Sequence, residues 1–107
     1  MNQHYRDTIA AIATAAGPGG IGIVRLSGVK AWEVGRAIFR PAKGALPDPP
    51  PLRRLIYGHA VDPQSSELVD EVLAAFFKAP HTYSTEDTVE LQGHAGPAVT
   101  QRILALC

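Results

Sequence analysis

The chain has 107 residues and equal numbers of basic and acidic side chains, ten of each, so its formal net charge is zero. That length suits one domain burying roughly 60–70% of the surface its unfolded chain exposes; a neutral balance gives this stretch no electrostatic footprint for nucleic acid, although a larger protein containing it could still act on one. A single cysteine, Cys107, excludes an internal disulfide, and with no apolar run near 18 residues and no signal-peptide pattern the chain reads as cytoplasmic and free of membrane spans.

Residues 8–14 and 21–26 are two apolar runs separated by Ala15-Ala-Gly-Pro-Gly-Gly20, which predicts a pair of strands. Ser27 is placed to cap a helix over about 30–39, with Ala31, Val34, Ile38 and Trp32 as its inward stripe. Pro41 to Pro51 holds five prolines; without N–H donors and with fixed φ this segment reads as an extended surface connection. Residues 53–61 and 68–77 predict a hairpin around Asp62-Pro-Gln-Ser-Ser66. A loop at 79–84, a strand at 87–92 and a helix at 97–106 follow, with Pro97 suited to the first helical turn. Val99, Ile103 and Leu106 are still at helical spacing when the sequence stops, which reads as a cut inside a helix. The expected fold class is α+β, a mixed sheet with helices packed on it.

Gly17-Pro-Gly-Gly-Ile-Gly22 satisfies G-x-G-x-x-G, but a strand rather than a helix follows, so the dinucleotide reading lacks its helix N-terminus. No glycine-lysine-serine/threonine follows either. The remaining reading is a tight turn between strands, compatible with a ligand approaching bare backbone. Arg25 interrupts an apolar strand on the side of Ile21 and Ile23, opposite Val24 and Leu26. An arginine among these inward residues requires an acceptor, either a structural carboxylate or a planar acceptor on a ligand, or else must snorkel to the sheet edge. Glu90 sits in mid-strand with Thr88 and Gln92, opposite Val89 and Leu91. That polar side is either solvated or lines a site. A fixed carboxylate there could accept side by side from a ring N–H and an exocyclic amine. Asp70 and Glu71 read as solvent-facing or paired with Arg53 or Arg54. His4, His59, His81 and His94 lack metal spacing, although His94 could cap or orient the turn into the last helix. No serine has a nucleophile context, and Cys107 has no partner that would lower its pKa.

Taken together, Asp7-Thr-Ile-Ala-Ala-Ile-Ala-Thr14, Gly19-Gly-Ile-Gly-Ile-Val-Arg-Leu-Ser-Gly28, Tyr57-Gly-His-Ala-Val-Asp62 and Thr85-Glu-Asp-Thr-Val-Glu-Leu-Gln-Gly-His-Ala-Gly-Pro97 resemble the N-terminal domain of the MnmE/TrmE family of tRNA-modification GTPases. The resemblance runs in order over nearly the whole chain. The first loop departs from it, with Thr14-Ala-Ala-Gly where the family has threonine and two prolines, and so does Ala95, where the family has glycine. The resemblance implies that residues 1–107 form a tetrahydrofolate-binding and dimerisation domain, similar to the folate-binding domains of one-carbon-transfer proteins. It also implies a 5-formyl-tetrahydrofolate-type cofactor contacted by Arg25 and Glu90, a third contact (a lysine) falling beyond Cys107. For the full-length proteins it implies modification of the wobble uridine of tRNA with a flavin-dependent partner enzyme. GTP, Mg and K would then bind only through a separate GTPase domain. Two other readings stand beside this one: a purely structural dimerisation module in which Arg25 and Glu90 pair, and a fragment of a folate-dependent aminomethyltransferase.

Overall fold

Alternating apolar side chains need a second layer to cover them, and the chain supplies it with two helices on one sheet. The computed structural model describes residues 8–13, 21–79, 86–94 and 97–107. In chain order the elements are β1 (Ile9–Ile12), β2 (Ile21–Ser27), α1 (Ala31–Ile38), β3 (Phe39–Pro41), β4 (Ile56–Val61), β5 (Leu68–Phe77), β6 (Thr88–His94) and α2 (Pro97–Leu106). The strands form one sheet in the order β1-β2-β6-β5-β4-β3. Every neighbouring pair is antiparallel, and a single bridge between Leu52 and Phe76 runs parallel. The fold is α+β, as the order of apolar runs predicts.

Register decides which side chains meet. Val24 lies opposite Leu91, and Leu91 opposite Ala74; Leu26 lies opposite Val89, and Val89 opposite Phe76. All six are at most 1% exposed, and α1 and α2 cover them with Ala31, Ile38 and Ile103. Each large side chain in this layer contributes about 1.5–3 kcal/mol by leaving water. The first helix can approach closely because residue 35 is glycine: a Cβ there would stand 3.0 Å from a Val89 methyl.

The sequence reading of the central strands and of both helices holds, and four details differ. Ser27 does not cap α1. It is the last residue of β2, opposite Thr88, and Lys30 occupies the cap position without a side-chain bond of its own. The hydroxyl of Thr8 accepts from the Lys30 N–H at 2.9 Å instead. The inward stripe of α1 is Ala31, Gly35 and Ile38, with Trp32 and Val34 half-buried.

The proline-rich connection begins as a short edge strand, β3, with Pro41 at its end. Proline is tolerated there because an edge strand has one side free of ladder bonds. The rest of the connection is strapped to α1, since Arg36 donates to the carbonyls of Leu46 and Pro47. Finally, β4 starts at Ile56 rather than 53, because Leu52 and Arg53 bond the end of β5 instead.

The hairpin turn forms where expected, with Asp62 accepting from the N–H groups of Gln64 and Ser65, and α2 starts at Pro97. The Gly17–Gly20 turn, His4, the 80–85 loop with His81, and the roles considered for Ala95 and for the His94 side chain lie outside the described residues.

Candidate functional site

Because side chains alternate, the residues between the core positions share the opposite face of the sheet. Among the described residues no helix packs on that face. One row across it runs Ala11, Arg25, Glu90, Ala75; the next runs Ile23, Gln92, Leu73, Tyr57. Ile9, at 58% exposed, and Tyr57, at 49%, stand open near its two sides.

Arg25 and Glu90, the two candidate binding residues of the sequence, are directly opposed across β2 and β6. Within the pair Arg25 meets one carboxylate oxygen, donating to Glu90 Oε2 from Nε at 2.9 Å and from Nη2 at 2.6 Å. Their side chains are 32% and 18% exposed. Water reaches both, so the pair is worth on the order of 1 kcal/mol, near the upper end of the range for accessible ion pairs. Arg25 therefore does not lie among inward side chains as the bare strand pattern suggested. It lies on the side facing away from the helices, and its acceptor is a carboxylate of the same chain. The other oxygen, Glu90 Oε1, makes no hydrogen bond among the described residues.

The geometry fixes one carboxylate by a guanidinium fork and leaves its second oxygen without a hydrogen bond among the described residues. Such an oxygen can accept from a neutral or cationic N–H donor, and Gln92, one row away on the same strand face, offers both a donor and an acceptor. Thr88, the third polar residue of the strand face, is instead buried at 4% exposure, its hydroxyl donating to the Glu86 carbonyl. The solvated-face reading therefore fails for Thr88.

Further along the same face, Tyr57 donates its hydroxyl to Glu71 at 3.0 Å and its ring lies 5.9 Å from that of His59. His59 is itself opposite Glu71. Glu71 is exposed, as the solvent-facing reading has it, and bonds a tyrosine, not Arg53 or Arg54; this cluster was missed by sequence reasoning. Tyr57 and His59 do alternate in one strand, but only the register places Glu71 beside them. That bond, with loss of water and the carboxylate charge, raises the Tyr57 hydroxyl above its ordinary pKa.

Among the described residues no three of His, Cys, Asp and Glu gather as a metal site, and no helix is long and apolar enough to cross a membrane. The sulfur of Cys107 donates to the Ile103 carbonyl, and although the residue as a whole is exposed, burial at the sulfur pushes its thiol up to about 11. That is the opposite of a thiol poised to react.

Comparison with known proteins completes the description. The family described as GTP-binding protein TrmE N-terminus matches residues 8–107. A protein of Alkaliphilus metalliredigens named tRNA modification GTPase MnmE is 52% identical over 101 residues, covering 94% of this chain and 22% of its own length. Proteins of the same name from Alkaliphilus oremlandii and Synechococcus elongatus are 48% and 47% identical, covering 97% and 98% of this chain and 23% and 22% of theirs. The chain spans about a fifth of the length of these relatives.

Proposed function

This chain belongs to the TrmE N-terminal family, and on that premise we propose that residues 1–107 are a folate-binding and dimerisation domain of a protein that modifies the wobble uridine of tRNA. The ligand is a one-carbon tetrahydrofolate of the 5-formyl type. Glu90 accepts from the N–H groups along the pterin edge, and Arg25 holds that carboxylate in place and anchors another polar part of the ligand. The observation that carries this reading is the Arg25–Glu90 pair on a sheet face where, among the described residues, no helix packs and nothing hydrogen-bonds Oε1 of Glu90. A carboxylate held through one oxygen and open at the other is preorganised for a donor-rich heterocycle. Residues 1–107 contain no glycine-lysine-serine/threonine phosphate loop, so GTP with its Mg and K, the tRNA and a flavin-dependent partner enzyme belong to the function of a longer, cytoplasmic, homodimeric protein.

Calorimetric titration of the chain with 5-formyl-tetrahydrofolate tests the proposal. Saturable binding in the micromolar range, on the order of −7 to −8 kcal/mol, that vanishes in Glu90→Ala is the expected result. A folded, dimeric chain giving no heat would sink the ligand reading for these residues.

A second reading is favoured by the same contact. Arg25 already bonds Glu90, so the pair could serve only to hold β2 against β6 in a structural dimerisation module. Exchanging the two residues (Arg25→Glu with Glu90→Arg) separates the readings. A structural pair survives the exchange, whereas folate recognition does not.

A further inference from the structure

We propose that the cleft between the end of α1, β3 and the segment after it is a second ligand site, one that takes a phosphate ester. The cleft has a volume of about 330 Å³ and lies at the opposite edge of the sheet from β1. Arg36 and Arg40 line it together with Phe39, Pro41 and Leu46. That volume is at the small end of ligand clefts and suits a single nucleotide-sized group.

Both guanidinium groups are held by backbone oxygen, not by carboxylates. Arg36 donates through its two terminal nitrogens to the carbonyls of Pro47 and Leu46. Arg40 donates through Nη1 alone, to the carbonyls of Arg36, Ala37 and Phe39. Among the described residues no Asp or Glu bonds either of them. Two full positive charges therefore border one cleft with no carboxylate bonded to either, and among the described residues Nε and Nη2 of Arg40 carry no hydrogen bond.

The exposed carbonyls at the end of α1 would ordinarily repel an anion. Nη1 of Arg40 takes two of them, which offsets that repulsion at the cleft mouth. What remains is two planar donor groups set in fixed positions beside an apolar wall. A phosphate oxygen pair matches an arginine fork, and the wall suits the sugar or base next to it. Lys43, exposed two residues past the end of β3, adds a third positive charge nearby.

The ligand chemistry has two sources, the backbone of an RNA strand or a free nucleotide. The RNA source rests on the tRNA-modification reading; the phosphate site itself does not. The test follows the amide signals of Gly44, Ala45 and Leu46 by NMR in the whole chain. Uridine 5′-monophosphate, uridine and an anticodon stem-loop RNA are added separately.

The expected result is a saturable shift with the monophosphate and none with uridine. Binding should weaken about tenfold in Arg40→Gln and stay unchanged in Arg53→Gln/Arg54→Gln, the effect of removing one charged phosphate contact. Arg40→Lys keeps a cationic donor at the helix end but lacks the fork. It should bind more weakly than the parent, and it keeps the test decisive if the glutamine variant fails to fold. If the RNA moves the same amides, with a salt slope reduced by about one in Arg40→Gln, the source is RNA; if only the monophosphate does, it is a free nucleotide.

Silence at these amides with both phosphate compounds overturns the site, as does an equal response to uridine or an unchanged affinity in both Arg40 variants. Folate heat lost in Glu90→Ala while the cleft stays silent removes this site and leaves the folate reading intact. A responsive cleft in a chain that ignores folate does the reverse.

Discussion

The two faces of the sheet are cut from the same strands, and only one of them sets charged and polar side chains among its apolar ones. On the covered face, Val24, Leu26, Ala74, Phe76, Val89 and Leu91 form an apolar layer under both helices. On the open face, one residue along each strand, stand Arg25, Glu90, Gln92, Tyr57, His59 and Glu71. Stability is concentrated on one side of the backbone and polar chemistry on the other. A substitution on the open face can therefore abolish recognition at little cost to folding, and one on the covered face does the opposite.

The largest effect that would break or sharpen this contrast is expected at Gly58. A methyl there would sit 2.1 Å from the Arg40 carbonyl oxygen and 2.7 Å from the Phe39 ring, and backbone cannot move aside as a side chain can. Gly58→Ala should cost about 4 kcal/mol or more, read as a loss of the urea midpoint; a loss below about 1 kcal/mol would mean that β3 is not clamped on β4. Phe76→Ala should follow at about 3–5 kcal/mol, by transfer and cavity terms together. Arg25→Ala and Glu90→Ala should each lower stability by no more than about 1 kcal/mol. A double-mutant cycle on the pair measures this coupling directly, and a value above about 2 kcal/mol would move the pair from the chemical side of the comparison to the structural one.

The smallest effect concerns pH. The Tyr57 hydroxyl titrates above its ordinary value, first because it donates to Glu71. Its folded pKa is raised, so the bond stabilises fully below the unfolded phenol's pKa and is lost as pH rises through the folded one. An NMR titration of the Tyr57 ring should give a midpoint above that of a free tyrosine, and Glu71→Ala should bring it back down.

These differences also explain what could be read from the residues alone. The central strands were legible because each is buried on one side, so the apolar spacing has a period of two. Arg25 and Glu90 were legible as polar groups in mid-strand that need partners. That they would find each other could be read only as one alternative among several, since the register of β2 on β6 joins positions 65 residues apart. Three-residue β3 carries too little pattern to be seen, and its proline argued against a strand. One signal was available: a glycine within a strand marks close backbone approach, and Gly58 lies under β3. Ser27 was misplaced because β2 runs one residue further than its apolar part, drawn on by Thr88 across the ladder.

The position of β6, between β2 and β5, also sets an order of events. β4 and β5 are joined by a short turn and can meet early, whereas β2 must wait for a strand that is synthesised long after it, with the loop-closure entropy that such a separation costs. The β2–β6 seam is thus expected to be the last part of the sheet to close. The same seam carries Val24 on Leu91, Leu26 on Val89 and Arg25 on Glu90. The two halves of the core and the two halves of the polar pair come together in one step. A ligand gripped by that pair favours the closed seam over the open one by mass action, and so acts as a latch on the folded state.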